Sequence, residues 1–266
     1  MTPPANQPNT SSPAANHAWS DADLAQNPHE DARKPEKVRA MFASIAPSYD
    51  LNNRLHSFGR DQSWRRAAVR MAAVKPTDTV LDVACGTGDL TRAFADAGAA
   101  SVIGLDFTPQ MLDIARTKRL HPKADAARTN ITYQQGDATA LDFPDNSFDI
   151  VSIAFGLRNV NDPAKALAEF RRVLKPAGRL VVLEFSDPRP APVAWLNNIY
   201  CRHIMPFTAT LIARDKSGAY KYLPRSIETF LTREQLAAAL RAANFSDVRT
   251  KPLTFGVCVC CVGTVQ

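Results

Sequence analysis

The amino-acid sequence predicts one α/β domain in which helices wrap a parallel sheet. Short apolar runs of strand length alternate with stretches of helical periodicity, and this alternation is typical of parallel strands joined by helices. The chain has 266 residues, of which 45% are hydrophobic, and this is enough to bury one full core. A single large domain is therefore expected.

The pattern also gives the order of the elements. Two helical stretches precede the first strand: EKVRAMFASIAPSYDLNNRL and SWRRAAVRMAAV. Five apolar runs then predict strands: TVLDVA, SVIGLD, ITYQQGD, FDIVSIAF and GRLVVLEF. Helices are expected between these strands near residues 88–97, 109–118 and 163–174.

The C-terminal part predicts a helix followed by two strands. TREQLAAALRAANF has helical periodicity and begins with Thr232, a favoured N-cap residue. The closing runs SDVRTKPL and TFGVCVCCVGTV predict a final strand pair. Strand geometry puts Cys258 and Cys260 on one face and Cys261 on the other, so that the three cannot bind one metal, and we expect core residues.

Two segments stand apart from this alternation. Residues 1–34 are rich in Pro, Ala, Asn and Ser and carry one aromatic side chain, a composition that predicts a disordered tail. Residues 187–230 are aromatic, partly helical and interrupted by prolines, which makes them a candidate lid. The expected organisation is a tail over residues 1–34 and one domain over residues 35–266 that includes the lid.

Charge and cysteine content narrow the class of partner. The net charge is +6, but Lys and Arg are scattered, so a nucleic-acid partner is not expected, whereas an anionic membrane surface would attract the chain. No apolar run reaches the roughly 18 residues of a membrane span and no signal-peptide pattern opens the chain, so we expect a cytoplasmic protein. Five cysteines, an odd number, favour reduced thiols and no metal site.

The first predicted strand ends in a glycine loop, CGTGD. In an open α/β sheet, ligands bind beyond the carboxyl ends of the strands, and Gly86 and Gly88 let a ligand approach the backbone closely. A dinucleotide site would have a third glycine where Thr91 stands, and no Walker lysine is present. The loop therefore favours a nucleoside ligand without a pyrophosphate.

Acidic residues mark the next two strand ends. Asp106 ends the second predicted strand and can accept hydrogen bonds from two ribose hydroxyls. Asp137 follows the third strand and can accept a hydrogen bond from an exocyclic amine. With the glycine loop, these acids fit S-adenosylmethionine, with its amino-acid end over the glycines. A nicotinamide-dependent oxidoreductase is the alternative, and the missing third glycine counts against it.

Five motifs occur in order from about residue 37 to the C-terminus: YDLNNRLHSFGRDQSWRR (49–66), FGLRN (155–159), RVLKPAGRLVVLEFS (172–186), ARDKSGAYKYLPRSIETF (213–230) and LTFGV (253–257). These motifs resemble the ubiquinone/menaquinone biosynthesis C-methyltransferase family of the UbiE/MenG type, which are class I methyltransferases. The resemblance implies a Rossmann-like, doubly wound sheet of seven strands, mostly parallel, with an antiparallel last strand and a helical lid.

The resemblance also implies the reaction and the residues that bind the cofactor. A methyl group passes from S-adenosylmethionine to a ring carbon of a prenylated quinol. We expect demethylmenaquinol in menaquinone biosynthesis, with the benzoquinol step of ubiquinone biosynthesis as a second candidate. The expected cofactor-binding residues are Asp82, Gly86, Thr87, Gly88, Asp106, Asp137 and Ala138.

Six positions depart from the family pattern. Ala154 occupies a position where relatives often have a serine beside the cofactor, so that side-chain contact is absent in this chain. The other five departures are Asn52 for Met, Asp61 for His, Cys85 for Gly, Ala177 within a usual Gly-Gly, and Arg225 for Glu.

The chemistry of C-methylation indicates which catalytic groups are needed. The acceptor carbon must be held about 3 Å from the sulfonium methyl group with water excluded. A quinol becomes nucleophilic when it loses a hydroxyl proton, so the site needs a base and a cation beside the forming phenolate. An arginine stays protonated in proteins, so we assign charge stabilisation to Arg158 and orientation of the oxygen to Asn159.

The base stays open among five candidates: water, Tyr49, Asp50, His203 and Asp215. YDLNN and the 187–230 segment would supply aromatic walls for the ring and an exit for its prenyl tail, through Trp195, Tyr200, Phe207, Tyr220 and Tyr222.

Partners and alternatives complete the expectations. The expected partner is a prenylated quinol, with peripheral contact at the inner face of the membrane, and a homodimer is also considered. A catalytically silent scaffold of a quinone-biosynthesis complex is the second alternative. Such a scaffold would have lost the cofactor residues, which this chain retains.

Overall fold

The structure is a computed structural model that describes residues 18–118 and 130–266. Its seven strands are β1 Thr79–Val83, β2 Ser101–Asp106, β3 Ile131–Gln135, β4 Phe148–Ala154, β5 Leu174–Phe185, β6 Ser246–Leu253 and β7 Cys258–Thr264. They form one sheet in the order β3-β2-β1-β4-β5-β7-β6. β7 is antiparallel to both of its neighbours, and the other pairs are parallel. The expected seven-stranded sheet with an antiparallel last strand is confirmed.

Eleven α-helices are present in the described part of the chain. They are α1 Asp21–Ala25, α2 Lys34–Ile45, α3 Tyr49–His56, α4 Arg60–Ala72, α5 Asp89–Asp96, α6 Pro109–Thr117, α7 Pro163–Val173, α8 Ala191–Ile199, α9 Met205–Ala213, α10 Ala219–Glu228 and α11 Arg233–Ala242. A 3₁₀ turn at Leu157–Asn159 follows β4, and a π-helical turn at Tyr200–Ile204 joins α8 to α9. None of these helices is both long and apolar enough to cross a bilayer.

The chain order of the strands reverses between β1 and β4. β1 pairs with β2 on one side and with β4 on the other, so the connections leave the sheet in opposite directions from this point. A crevice therefore opens beyond the carboxyl ends of β1 and β4, where ligands bind in open α/β sheets. The loops at residues 84–88 and 155–159 form its edges.

Two apolar layers pack against the two faces of the sheet. β1 alternates between them, since Leu81 and Val83 lie in one layer and Val80 in the other. β7 alternates in the same way. Cys261 lies in the first layer and Cys258 and Cys260 lie in the second, all fully buried, as their spacing predicts. The local signals for α11 are also confirmed, because Thr232 caps this helix in a capping box with Gln235.

The disordered tail expected over residues 1–34 is wrong from residue 18 onward, and residues 1–17 lie outside the described residues. Trp19 is 2% exposed, and its ring stacks on Tyr222 with centroids 4.6 Å apart. Its backbone N–H donates to the carbonyl oxygen of Ser217 at 2.9 Å, and the ammonium of Lys37 lies 5.0 Å from the ring centroid. The prediction of disorder from composition failed here because one large aromatic side chain can anchor a polar segment.

Docking of this segment predicts that Trp19→Ala lowers the free energy of unfolding by about 3–5 kcal/mol, as is usual for removal of a buried tryptophan. Asp21→Ala is the control, since it removes only an exposed ion pair with Lys221 and should cost less than about 1 kcal/mol. Urea denaturation measures both values. Equal stability of the two variants would show that the segment contributes nothing by packing.

Candidate active site

The crevice beyond β1 and β4 leads into two cavities. The smaller cavity, about 350 Å³, lies at the strand ends, and the larger, about 1210 Å³, lies between α2–α4 and the helices of residues 187–230. The smaller volume is within the range of small-molecule sites. Four of the expected cofactor residues line the smaller cavity: Gly86, Asp106, Asp137 and Ala138. Ala154 lines it as well.

Asp106 is the most constrained polar residue of the smaller cavity. It is buried, one carboxylate oxygen accepts from the N–H of Gly86 at 2.8 Å, and the other accepts from the N–H of Thr108 at 2.8 Å. Burial raises the pKa of this carboxyl group, and the two N–H bonds oppose that rise. The carboxylate lines the smaller cavity, where it can accept hydrogen bonds from a ligand.

Asp137 offers an acceptor at the next strand end. Its Oδ1 accepts from the backbone N–H of Thr139 at 2.8 Å and from the Thr139 hydroxyl at 3.0 Å. Its Oδ2 has no hydrogen-bond partner among the described residues. Because Asp137 is exposed and lines the cavity, Oδ2 is available to an amine of a ligand.

The glycine loop divides its two glycines between two roles. Gly86 has φ +56° and lines the smaller cavity, where the nearest side-chain atom to an added Cβ is 3.9 Å away. Gly88 has φ +79° and lies against Tyr133, whose hydroxyl oxygen would be 2.3 Å from an added Cβ. Gly88 therefore serves close packing of α5 on β3 and does not line the cavity.

Two other expected cofactor residues also lie outside the cavity lining. Both carboxylate oxygens of Asp82 are occupied, by the hydroxyls of Thr91 at 2.6 Å and Ser152 at 2.7 Å. Burial raises the pKa of Asp82 to about 6. The hydroxyl of Thr87 donates to Asp50 at 2.6 Å and points away from the cavity lining. These side chains hold the glycine loop in position through their hydrogen bonds.

The hydrogen bond from Thr87 also removes Asp50 from the expected candidate bases. Its second carboxylate oxygen pairs with Lys118 at 2.7 Å, and Asp50 lines neither cavity. Lys118 also pairs with Asp89, which in turn pairs with Arg54 at 2.8 Å. The result is an ion-pair network that ties α3 to the glycine loop and the end of α6. Asp50 has a structural role in it, in place of the expected role in proton transfer.

The larger cavity has mostly apolar and aromatic walls. Four of the five aromatic residues expected to line it do so: Tyr200, Phe207, Tyr220 and Tyr222. Trp195 does not, and its side chain is 65% exposed on the outer side of α8. The volume and the apolar walls suit an aromatic ring with a hydrocarbon tail.

Three aromatic residues line both cavities: Phe42, Tyr49 and Phe155. They form the wall between the cavities. Tyr49 is the first residue of α3 and packs edge-on against Phe42 at 6.0 Å between centroids. Burial raises the pKa of the Tyr49 phenol, so Tyr49 stays protonated at neutral pH and cannot serve as a base there. A group transferred from one cavity to the other must pass this wall.

Arg158 lines the larger cavity from the turn after β4. Its Nη1 donates to the carbonyl oxygen of Phe155 at 2.6 Å and to Glu184 Oε1 at 2.8 Å, and both charged side chains are buried. Its Nε has no partner in the described part of the chain. The guanidinium also lies 5.2 Å from the ring centroid of Phe185. Sequence reasoning missed Glu184, which holds this cation in position.

Asn159 lines the smaller cavity and not the larger one, which corrects the expectation that it orients a quinol oxygen. Its Nδ2 donates to the carbonyl oxygen of Phe155 at 3.2 Å, and its Oδ1 accepts from the Tyr222 hydroxyl at 2.9 Å. Because both ends of the amide are engaged, Asn159 positions the wall residue Phe155 and connects it to Tyr222, on which Trp19 stacks.

The two remaining candidate bases, Asp215 and His203, differ in whether they contact the larger cavity. Asp215 lies outside both cavity linings, and its carboxylate accepts from the N–H groups of Ser217 and Ala219 at the start of α10. His203 lines the larger cavity but is exposed. Of the candidate side chains, only His203 and the protonated Tyr49 therefore remain in contact with the larger cavity.

His56 is a cavity residue that sequence reasoning did not single out. Its Nδ1 lies 3.0 Å from the Tyr200 hydroxyl, and that hydroxyl donates to the carbonyl oxygen of His56 at 3.2 Å. With the proton on Nδ1, Nε2 is left as an acceptor, and Nε2 is buried and has no partner among the described residues. Burial lowers the pKa of His56. The one available signal was its position seven residues after Tyr49, on the same side of α3.

Comparison with solved structures shows the fold. A SAM-dependent methyltransferase of Thermotoga maritima matches with a TM-score of 0.60 at 19% identity, covering 86% of this chain and 100% of that one. A SAM-dependent methyltransferase of Aquifex aeolicus matches with a TM-score of 0.54 at 16% identity, covering 82% and 98%.

Comparison with curated sequences shows the family. A demethylmenaquinone methyltransferase of Thermus thermophilus is 49% identical over 224 residues, which cover 84% of this chain and 99% of the relative. A ubiquinone/menaquinone biosynthesis C-methyltransferase of Citrifermentans bemidjiense is 42% identical over 235 residues, covering 88% and 98%. A family model described as the ubiE/COQ5 methyltransferase family matches residues 30–265. The chain belongs to this family, as its motifs indicated.

Proposed function

We propose that this protein transfers the methyl group of S-adenosylmethionine to a ring carbon of demethylmenaquinol. The observation that carries the proposal is the wall of Phe42, Tyr49 and Phe155, which separates a nucleoside-sized cavity from a large apolar one. The names of the Thermus thermophilus and Citrifermentans bemidjiense relatives support the same reaction. The benzoquinol step of ubiquinone biosynthesis is a second candidate, favoured by the name of the latter relative.

The residues of the smaller cavity fit the cofactor. Asp106 offers a buried carboxylate to the ribose hydroxyls, Asp137 has a free oxygen for the adenine amine, and Gly86 leaves room for the amino-acid end. When bound, S-adenosylmethionine supplies an electrophilic methyl group on a sulfonium. Asp82, Thr87 and Gly88 support this site through the packing of the loop.

The chain's own task at the acceptor is to form and hold a phenolate. The aromatic wall excludes water from the point of transfer. Arg158 stabilises the negative oxygen of the quinol, and Glu184 keeps the guanidinium in place while partly neutralising it. Asn159 acts indirectly, since it positions Phe155.

His56 is the base of this proposal. Its Nε2 has no partner among the described residues, the Tyr200 hydroxyl lies 3.0 Å from Nδ1 and can hold a proton there, and the lowered pKa keeps the ring neutral at physiological pH. A neutral imidazole can accept the hydroxyl proton of the quinol. Water and His203 are the competing acceptors.

Other readings of the fold are less well supported. A nicotinamide-dependent oxidoreductase needs a pyrophosphate site, and the family match does not favour it. A silent scaffold would not need the unoccupied acceptors of Asp106 and Asp137. Homodimer formation stays a prediction from the sequence.

Methyl transfer itself is tested with methyl-labelled S-adenosylmethionine. Purified protein is incubated anaerobically with demethylmenaquinol and, separately, with the corresponding benzoquinol. We expect the label on a ring carbon of the naphthoquinol, together with S-adenosylhomocysteine. Label on an oxygen, or faster turnover of the benzoquinol, would contradict the assignment of the acceptor.

Asp106→Ala should weaken binding of S-adenosylhomocysteine by about 1–3 kcal/mol, because a charged acceptor for two hydroxyls is lost. Asp113→Ala is the matched control, since it removes an exposed carboxylate on the neighbouring helix that pairs with Arg116. Calorimetric titration measures both affinities. An unchanged affinity in Asp106→Ala would remove the ribose role.

Substitutions of Arg158 and of Glu184 should shift the pKa of the bound quinol in opposite directions. Arg158→Ala removes the cation, so the quinol should ionise at higher pH and turnover should fall about a hundredfold or more, whereas Arg158→Lys keeps part of the rate. Glu184→Gln removes the countercharge, so the quinol should ionise at lower pH. Absorbance of the bound quinolate, titrated anaerobically, reports both shifts. If neither variant moves the ionisation, the pair is purely structural.

His56→Gln should lower kcat about a hundredfold or more, within the range of general-base contributions. Because burial lowers the pKa of His56, the wild-type rate should fall only at a pH below the usual pKa of an imidazole, where the ring takes up a proton, and this acidic limb should vanish in the variant. His203→Gln, in the same cavity, is the control and should change little. A pH profile with the acidic limb intact in His56→Gln would exclude His56 as the base.

A further inference from the structure

The helices of residues 187–230 expose an apolar surface that has no partner in residues 18–118 and 130–266, the described part of the chain. We call it the lid face and define it by six side chains that are all more than 40% exposed: Trp195, Leu196, Ile204, Phe207, Leu211 and Ile212. Ile204, Phe207 and Leu211 follow each other at helical spacing, so they point the same way along α9. Apolar patches of this kind mark interaction sites.

α3 extends the lid face. It packs beside α9, its residues Leu51 and Leu55 are exposed one helical turn apart, and the exposed Phe58 follows the end of the helix. The ring of Phe58 lies 5.6 Å from that of Tyr200, in the turn between α8 and α9. The two helices therefore present their exposed apolar residues side by side.

Basic side chains flank the lid face. Between Asp187 and Asp215 the chain has no acidic residue and three arginines: Arg189, Arg202 and Arg214. Arg189 and Arg202 form exposed ion pairs with Glu234 and Glu228, and Arg214 pairs with no acid in the described part of the chain. A tryptophan, aliphatic side chains and basic residues on one face are typical of a surface that lies in the headgroup region of an anionic bilayer.

This charge pattern disfavours a second copy as the occupant. In a two-fold dimer the lid face would meet itself, and Arg214, which pairs with no acid of the described residues, would approach its own copy. Like charges brought together in this way oppose association. Anionic lipid headgroups instead complement the arginines.

The larger cavity opens on the same surface. Phe207 and Leu211 line this cavity and are also 71% and 69% exposed, so they form its mouth. A hydrocarbon chain could pass from acyl chains into the cavity between these side chains without crossing water.

We propose that the lid face docks on an anionic lipid bilayer and places the mouth of the larger cavity at the acyl-chain boundary. Docking as such requires only the lid face. The role of the mouth as an entrance for a prenyl tail rests on the proposed function. The net charge of +6 adds attraction to the same surface.

Sedimentation with lipid vesicles tests the docking without cofactor or quinol. Vesicles of phosphatidylcholine with phosphatidylglycerol should bind the protein, and vesicles of phosphatidylcholine alone should bind it less. The variant Trp195→Asp/Leu196→Asp should weaken binding at least about tenfold, because these side chains are exposed and line neither cavity. Ala238→Asp/Ala242→Asp adds the same charge at exposed positions of α11 and should bind like the wild type.

The other possible results of vesicle binding, sedimentation velocity and turnover also decide whether the docking proposal holds. Wild-type protein that ignores anionic vesicles, or equal loss in both double variants, overturns it. Sedimentation velocity that shows a dimer, dissociated by Trp195→Asp/Leu196→Asp, identifies a second copy as the occupant and also overturns it. Turnover of a short-tailed, water-soluble quinol should be unchanged in this variant. If that turnover is absent in the wild type while vesicles bind, the proposed function fails and the docking stands.

Discussion

The arrangement of this molecule depends on one constraint: the methyl donor and the acceptor carbon must come close together at the wall between the two cavities, with no water between them. In-line methyl transfer brings a carbon nucleophile to about 3 Å from the methyl group. Phe42, Tyr49 and Phe155 form the wall where this can occur, and they come from α2, α3 and the loop after β4. The sheet alone supplies only one of these three residues. The helices that precede the first strand are therefore part of the site.

Several contacts around the wall hold its residues in position. The ion pairs of Asp50 and Asp89 with Lys118 fasten α3 over the glycine loop. Buried Lys34 donates to the carbonyl oxygen of Val160 at 2.6 Å and holds the start of α2 on the turn after β4. Asn159 bonds Phe155 and Tyr222, and Trp19 stacks on Tyr222. The N-terminal segment thus supports the same turn that carries Arg158.

The parts that could be predicted from the sequence are those that depend on local pattern. Strand periodicity located β1 to β7, and strand-end position identified Asp106 and Asp137. Long-range pairing could not be predicted in this way. Glu184 lies 26 residues from Arg158, and no spacing rule connects them. Asp61 illustrates the same limit: it departs from the family motif, yet it is buried and accepts hydrogen bonds from Arg65 and Ser57, a role that only the packing reveals.

A crystal structure with S-adenosylhomocysteine and demethylmenaquinol bound together would decide whether the two cavities act as one site. The account predicts the ribose on Asp106 in the smaller cavity and the quinol ring against Tyr49 and Phe155 in the larger, with the acceptor carbon facing the cofactor sulfur and no water between them. A quinol ring bound away from this wall, or a nucleoside bound outside the smaller cavity, would contradict it.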